Sequence, residues 1–190
     1  NVGKSSILNA LLGQQRAIVS EKPGTTVDAT DTSYHYADQD FVLIDTAGLR
    51  RRGRIEQGIE RFSVLRALQA ISRADVACLV IDCSEKISNQ DLHISEYILE
   101  AGKGVIIVVN KTDLMEDPQK DQEDFLRRMT WRMNYMPWAP VIFVSAVRRK
   151  NIYKIFELAK NIRQERKRKL DPDEFKLFIK TTVLTNPPVR

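Results

Sequence analysis

Four short segments of this sequence combine glycine, lysine, hydroxyl and carboxylate residues at spacings that could support chemistry. They are Gly3-Lys-Ser5, Asp45-Thr-Ala-Gly48, Asn110-Lys-Thr-Asp113 and Ser145-Ala146. The last three come directly after short apolar runs at 41–44, 105–109 and 141–144. Because open α/β sheets bind ligands at the carboxyl ends of their strands, we expect these segments to converge on one site.

The first segment, within Asn1-Val-Gly-Lys-Ser5, matches the second half of the phosphate-binding pattern G-x-x-x-x-G-K-[S/T]. Backbone N–H groups at a helix start receive phosphate oxygens, Lys4 neutralises the β and γ charges, and the Ser5 hydroxyl ligates Mg²⁺. The first glycine of the pattern and its strand are missing, so we expect a chain truncated before its first strand. An ordinary helix start is the alternative for an isolated G-K-S triplet.

The second segment, Asp45-Thr-Ala-Gly48, fits a D-x-x-G element. Its carboxylate would hold the Mg²⁺ shell while the Gly48 N–H meets the γ-phosphate. A simple turn after a strand is the alternative. Upstream, Pro23-Gly-Thr-Thr26 lies in a segment without clear periodicity, as expected of a loop that carries a threonine to Mg²⁺ and the γ-phosphate. The residues alone leave open which of the two adjacent threonines serves.

Asn110-Lys-Thr-Asp113 is the most specific of the segments. A carboxylate at Asp113 can accept hydrogen bonds from N1–H and the 2-amino group of guanine, donors that adenine does not offer. A site built for those donors leaves Asp113 unpaired with the wrong base, so the segment predicts guanine specificity. Asn110 and Lys111 are predicted to frame the base and brace the phosphate loop, and the Ala146 N–H to bind guanine O6. A polar loop after a strand is the alternative.

The elements that must position these segments follow from hydrophobic periodicity. Helices are predicted at 4–12, 59–71, 88–102, 122–133 and 152–167, and strands at 30–36, 41–44, 76–81, 105–109 and 141–144. This alternation predicts an α/β fold with a mostly parallel sheet and helices on both faces. After Leu170 the character changes, and Pro172 suggests a new helix start. We therefore predict one domain at 1–168 and a linker or the start of another domain at 169–190.

The composition indicates a folded domain with an excess of basic residues. Hydrophobic residues make up 43% of the sequence, and the net charge is +5. Basic residues cluster at 50–54, 148–150 and 163–169. Such clusters fit either a solvated surface with cations at helix C-termini or contact with nucleic-acid phosphates, and the composition leaves that choice open.

The sequence also bears on location. No apolar run approaches the roughly 20 residues of a membrane span, and the N-terminus lacks the regions of a signal peptide. Cys78 and Cys83 share one apolar run, which favours reduced core cysteines over a disulfide or a metal site. We expect a cytoplasmic protein with no membrane partner and no DNA partner.

The motifs together closely resemble the second GTPase domain of the Der family, also called EngA, which comprises bacterial double GTPases of large-subunit ribosome assembly. The resemblance rests on NVGKSS, PGTT, DTAGLRRRGRIEQG, FSVLRALQAISRADV, NKTD and VSA, which occur in that order. It covers about residues 1–165 and extends well beyond generic GTPase motifs. The tail through Pro187-Pro188 is similar to the linker that leads into the C-terminal KH-like domain of the family.

The resemblance implies a Ras-like P-loop GTPase domain that binds GTP or GDP. It implies Mg²⁺ ligation by Ser5 and Thr26, with Asp45 acting through its water shell, and K⁺ ligation by Asn1. Catalytic roles would fall to Lys4, Thr26 and Gly48. The nucleotide contacts it implies are Asn1, Val2, Gly3, Lys4, Ser5, Ser6, Asp45, Thr46, Ala47, Gly48, Asn110, Lys111, Asp113, Ser145 and Ala146.

Two positions depart from expected patterns. Leu49 stands where Ras-like GTPases have the glutamine that orients the attacking water. Because leucine cannot orient water, we expect slow intrinsic hydrolysis, or hydrolysis that relies on K⁺ and the phosphates themselves. Val27 occupies a position where the family usually has arginine, which leaves any role of that arginine open.

Three functions are weighed. The first is a nucleotide switch that hydrolyses GTP in large-subunit assembly and contacts ribosomal RNA through Arg50–Arg54. The second is an RNA-binding assembly module that GTP only tunes, and the third is a tRNA-modifying GTPase. The LRALQAI segment and the continuation past residue 165 argue against the third, and Asp113 argues against an ATPase. We expect the first, with the large subunit or its RNA as partner.

Overall fold

The structure is a computed structural model that describes residues 2–13, 31–44 and 60–185. Its helices are α1 (Lys4–Leu12), α2 (Glu60–Arg73), α3 (Asn89–Glu100), α4 (Pro118–Arg132), α5 (Lys154–Lys167) and α6 (Pro172–Thr185). Its strands are β1 (Thr32–Tyr36), β2 (Gln39–Leu43), β3 (Val76–Asp82), β4 (Gly104–Asn110) and β5 (Val141–Phe143). A single 3₁₀ turn, Thr112–Leu114, follows β4.

The described strands form two sheets. β1 and β2 make an antiparallel hairpin, whereas β3, β4 and β5 are parallel with β4 in the centre. The register of the parallel sheet places Asp82 beside Asn110 and Val109 beside Phe143. The carboxyl ends of β3 and β4 therefore bring two polar residues side by side at one edge.

The central strand β4 is buried along its whole length and divides the core into two layers. Ile106 and Val108 face a cluster that includes residues of α1 and α5. Val105, Ile107 and Val109 face the opposite cluster, which includes residues of α3 and α4. The β-branched run packs on both sides because parallel strands are covered by helices on each face. The predicted α/β architecture with helices on both faces is confirmed.

The β1–β2 hairpin packs on α5 through aromatic rings. Tyr34 and Phe41 lie with ring centroids 4.9 and 4.8 Å from that of Phe156. Between this hairpin and β3 lies a cavity of about 1490 Å³, lined largely by apolar side chains of α1, β2, β3 and α5. Cys78 of β3 lines this cavity, and the surrounding protein raises the pKa of its thiol to about 11, so its place in the core stays a prediction. Both cysteines are free, as predicted.

The predicted element types are confirmed in the described ranges, with shifted ends. α4 starts at Pro118 rather than at 122, because the Asp117 side chain accepts from the Lys120 N–H and proline is favourable at the first helical position. α5 starts at Lys154 rather than at 152, and β2 extends back to Gln39.

The helix expected after Leu170 is confirmed as α6, and its side chains are exposed wherever the structure describes them. The boundary between 168 and 169 stays a prediction. Among the described helices, none is both long enough and apolar enough to cross a membrane.

Candidate nucleotide-binding site

The start of α1 has the backbone geometry of an anion site. Gly3 precedes the helix with φ +90° and ψ 24°, a left-handed conformation that side-chain-bearing residues rarely adopt. The helix forms here because Ile7, Leu8 and Leu11 bury one face against the core. Glycine supplies no capping side chain and the first turn carries no acidic residue, so the first-turn amides and the N-terminal end of the helix dipole favour an anion.

Asn110, at the carboxyl end of β4, ties two loops together from a buried position. Its Nδ2 donates to the Val2 carbonyl oxygen at 3.0 Å, and its Oδ1 accepts from the Ala146 N–H at 3.1 Å. A Cβ atom added at Gly3 would lie 2.3 Å from Asn110 Nδ2. The close approach of Gly3 and Asn110 therefore requires glycine, and Asn110 fixes the segment before α1 against the segment after β5.

Asp113 is positioned by the loop that follows β5. Its Oδ1 accepts from the Ser145 hydroxyl, whose oxygen also accepts from the Arg148 N–H at 3.1 Å. The Thr112 N–H and hydroxyl both donate to the Val144 carbonyl oxygen, at 3.2 and 3.0 Å. These contacts fasten the loop that carries Asp113 to the segment Val144–Ser145 at the end of β5.

Lys111 is held by an ion pair. Its Nζ contacts the carboxylate of Asp82, whose side chain is 1% exposed and which also accepts from the Ser84 N–H and hydroxyl. Burial alone would raise the pKa of Asp82, but the hydrogen bonds from Lys111 and Ser84 outweigh it and lower that pKa. The hydrogen bond to Asp82 likewise raises the pKa of Lys111. Both groups are therefore charged over the physiological pH range.

The backbone of Lys111 lies in the left-handed region, at φ 66°. Non-glycine residues in this region are uncommon and are held by their surroundings. Cys83 contributes here, because its Sγ lies 3.1 Å from the Lys111 carbonyl oxygen and its N–H donates to the Asn110 carbonyl oxygen at 3.0 Å. Residues at the ends of β3 and β4 thus hold the backbone of the loop that follows β4, and Asp82 pairs with its lysine.

The structure brings together many of the predicted site residues. Val2, Gly3, Asn110, Lys111, Asp113, Ser145 and Ala146 are joined by the contacts above, and Lys4, Ser5 and Ser6 form the adjoining first turn of α1. The predicted residues Asn1, Thr26, Asp45, Thr46, Ala47 and Gly48 lie outside the described residues, as do Val27, Leu49 and Arg50–Arg54. The Ala146 N–H donates to Asn110, and its bond to guanine O6 stays a prediction.

Sequence reasoning missed two residues of the site. Asp82 is the polar residue that ends β3, so the rule that selected Asn110 at the end of β4 applies to it equally. Thr112 carries no predicted role, yet its hydroxyl donates to the Val144 carbonyl oxygen at 3.0 Å. The signal for Asp82 was present in the sequence, whereas that for Thr112 exists only in the packing of two loops.

The described part of the site offers backbone donors and a lysine to a phosphorylated ligand. Within the described ranges there is no group of three or more histidine, cysteine or acidic side chains that could hold a metal. Asp82 is engaged by Lys111, and of the predicted Mg²⁺ ligands Ser5 alone lies in the described part of the chain. An ion carried in with phosphate oxygens fits this arrangement, because Mg²⁺ is usually bound by few protein ligands plus substrate phosphates.

A helix that starts at G-K-S beside a parallel sheet, with an N-K-x-D segment at the next strand end, defines a P-loop nucleotide-binding domain of the GTPase class. A family model described as 50S ribosome-binding GTPase matches residues 1–111, more than half of the chain. The chain belongs to this family.

Among curated proteins, the chain is 46% identical over 190 residues to GTPase Der of Thermomicrobium roseum, covering 99% of this chain and 41% of that protein. It is 45% identical over 188 residues to GTPase Der of Prosthecochloris aestuarii, covering 99% of this chain and 43% of that protein. The chain therefore spans about two fifths of the length of the curated relatives it matches. The resemblance to Der is confirmed.

Among solved structures, the chain matches Era in complex with MgGDPNP and nucleotides 1506–1542 of 16S ribosomal RNA. The TM-score is 0.61 at 25% identity, and the match covers 91% of this chain and 56% of Era. This similarity confirms the predicted Ras-like P-loop GTPase fold.

Proposed function

We propose that this chain binds GTP and GDP, hydrolyses GTP, and acts as a nucleotide switch in assembly of the large ribosomal subunit. The observation that carries the proposal is the position of Asn110, which bonds the segment before α1 and the segment after β5 at once. A phosphate-binding helix start and a base-recognition loop are thereby held as one site.

Guanine selection is assigned to Asp113. An ionised carboxylate only accepts hydrogen bonds, and guanine presents two donors, N1–H and the 2-amino group, on one edge. The Ser145 hydroxyl occupies one lone pair of Oδ1, which leaves the other acceptor positions of the carboxylate for the base. Adenine at this edge would leave the carboxylate unpaired, which supports specificity for guanine.

Phosphate binding is assigned to the first turn of α1. The amides after Gly3 and the Lys4 ammonium would bind the β- and γ-phosphates, and the Ser5 hydroxyl, with Thr26 and the shell of Asp45, would hold Mg²⁺. That ion supplies charge neutralisation to the phosphates when bound. The Gly48 N–H would meet the γ-phosphate, and Asn1 would bind K⁺. Because Leu49 cannot orient water, hydrolysis would be slow and stimulated by K⁺.

The ribosome is the proposed partner. The family is described as 50S ribosome-binding, and the structurally similar Era holds ribosomal RNA. A basic chain, with sequence pI near 9.2, suits a polyanionic partner. A cytoplasmic location belongs to the same proposal.

Calorimetric titration of the chain with GDP and with ADP, in Mg²⁺ and KCl, tests the nucleotide site. We expect GDP to bind and ADP not to bind. Asp113→Asn should weaken GDP binding and favour xanthosine diphosphate, because an amide can donate to the additional oxygen of xanthine. Asp173→Asn, an exposed change on α6, should leave both affinities unchanged. Equal GDP affinity in Asp113→Asn and the unmodified chain would overturn the assignment.

Phosphate release tests hydrolysis and the switch. Turnover should be faster in KCl than in NaCl and should rise on addition of large ribosomal subunits. Equal turnover in the two salts would contradict the role of K⁺. Turnover unchanged by the particles would favour the alternative in which GTP only tunes RNA binding.

A further inference from the structure

Two tryptophans lie exposed in neighbouring segments of the chain. Trp131 near the end of α4 is 78% exposed, and Trp138 in the following loop is 59% exposed. They are the two tryptophans of the chain. Tryptophan carries a large apolar surface, so its exposure in neighbouring segments makes this region a candidate surface for a partner.

The segment between α4 and β5 folds into successive turns that repeat every three residues. The Met136 N–H donates to the Met133 carbonyl oxygen, and the Ala139 N–H donates to that of Met136. Met133, Met136 and Ala139 are buried in the core at this three-residue repeat. Because side chains three residues apart align in such turns, Tyr135 and Trp138 share a side, and the Tyr135 hydroxyl bonds the Ser95 hydroxyl of α3 at 2.6 Å. Arg132 is half-buried and donates to the Ile87 carbonyl oxygen at 3.4 Å.

On α4 itself, Trp131 follows Arg127 by four residues and Arg128 by three, so their side chains are neighbours on the helix surface. Arg128 lies over the Phe125 ring, with its Cζ atom 5.8 Å from the ring centroid. Arg127 contacts Asp124, one turn earlier. We call Arg127, Arg128, Trp131, Arg132, Tyr135 and Trp138 the tryptophan surface.

The tryptophan surface is basic as well as aromatic. From 125 to 138 the sequence contains three arginines and no acidic residue, and Asp124 just before this segment pairs with Arg127. Arg132 bonds the Asn89 Oδ1 at 2.9 Å, and Arg128 contacts a ring, so neither of these contacts neutralises a positive charge. A polyanion is the complementary partner for this charge.

We propose that the tryptophan surface binds single-stranded RNA, with Trp131 and Trp138 stacking on bases and the arginines contacting phosphates. The inference deepens the proposed function, since it gives the ribosomal partner a chemistry and a position on this domain. Tryptophan and arginine also occur at protein interfaces, but an acid-free basic segment with solvent-facing rings favours unpaired nucleotides, whose π-faces stack on aromatic side chains.

The probe is a fluorescein-labelled oligouridylate, with an RNA duplex of the same length as comparison. Intrinsic fluorescence of the full chain reports on the tryptophan surface directly, because both tryptophans lie on it. We expect the single strand to quench this fluorescence and to bind more tightly than the duplex. Trp131→Ala and Trp138→Ala should each lower the affinity about tenfold, whereas Trp131→Phe should retain most of it.

Charge is tested separately by salt dependence. Arg128→Gln should reduce the slope of log K against log salt by about 0.7, the value for one phosphate contact with a single strand. Tyr97→Ala, an exposed aromatic of α3, and Lys167→Gln, an exposed cation of α5, are matched controls that should leave RNA binding unchanged.

Three outcomes would overturn the proposal: no quenching, equal affinity in a Trp131→Ala Trp138→Ala double variant, or binding of ribosomal protein without RNA. GDP titration of the same variants separates this proposal from the nucleotide site. Loss of RNA binding with unchanged GDP affinity supports the tryptophan surface. Absence of GDP binding in the unmodified chain would refute the nucleotide proposal and leave the RNA result standing.

Discussion

The buried carboxylate of Asp82 pairs with the ammonium group of Lys111 and so joins the ends of the neighbouring strands β3 and β4. Lys111 carries a left-handed backbone in the middle of the predicted guanine-recognition segment. The left-handed backbone of Lys111 is an uncommon conformation that its surroundings must hold. The ion pair with Asp82 fixes the Lys111 side chain and so helps to hold that conformation. Asp82 therefore acts as a positioning residue for the loop that contains Asp113.

Replacing Asp82 by asparagine tests this role. The substitution keeps the shape but leaves Lys111 without its counter-charge, so we expect a loss of about 2 kcal/mol in the free energy of unfolding at neutral pH. GDP affinity should fall as well. Chemical denaturation and calorimetry are the measurements, with Asp173→Asn as the control for loss of an exposed carboxylate.

The same pair predicts a pH dependence. The folded-state pKa of Asp82 is lowered, so its contribution to stability is present above its ordinary value of 3.8 and is lost as pH falls through the folded pKa. The folded-state pKa of Lys111 is raised, so its contribution is present below 10.5 and is lost as pH rises through the folded pKa. The stability difference between the chain and Asp82→Asn should vanish in acid. A difference independent of pH would contradict the pairing.

Asn110→Ala should weaken nucleotide binding without unfolding the domain. The change removes bonds to Val2 and Ala146, and two hydrogen bonds of about 1 kcal/mol each correspond to a roughly 30-fold loss in GDP affinity. Asn161→Ala, at an exposed position of α5, is the matched control. An affinity that stays within twofold of the unmodified chain would mean that the two loops are positioned by other contacts.

Gly3→Ala should lower GDP affinity and stability more than Gly102→Ala, a substitution that introduces backbone strain without a close contact. At Gly3 the new Cβ would lie 2.3 Å from Asn110 Nδ2, in addition to the unfavourable φ of +90°. Gly102 has a φ of +61° with no atom within 4 Å of the added Cβ, so Gly102→Ala isolates the backbone cost of about 1 kcal/mol. GDP affinity should fall in Gly3→Ala and remain unchanged in Gly102→Ala. Equal GDP affinity in the two variants would show that the close approach of Gly3 to Asn110 does not affect nucleotide binding.

Cys83 should react slowly with alkylating agents at neutral pH. Burial, with the negative charges of Asp82 and Asp113, raises the pKa of its thiol to about 11. The alkylation rate measured by peptide mapping should therefore rise about tenfold per pH unit and level off only near that value. Asp82→Asn should move the profile to lower pH. A plateau near the ordinary thiol pKa of 9 would contradict the assignment.

Much of the site could be predicted because its residues follow one rule, that polar segments after buried strands meet at the carboxyl edge of a parallel sheet. Asn110, Asp113 and Ser145 follow this rule, and the structure brings their loops into contact. The segment 45–48 lies outside the described residues, and the roles of these residues in nucleotide binding stay predictions. Asp82 obeys the same rule but belongs to no short motif. The start of α4 is predicted late, at 122, although Asp117 and Pro118 carry the same signal in the sequence that marks the start of α6 at Pro172.

The sequence by itself determined the alternation of strands and helices and the burial of β4, and it predicts the guanine-recognition chemistry, because periodicity and residue type act locally. Only the tertiary structure decided which loops touch: that Asn110 bonds Val2 and Ala146, that Lys111 pairs with Asp82, and that the tryptophans face outward. These contacts join residues far apart in the chain. Their geometry depends on strand register and helix packing, which no local pattern encodes.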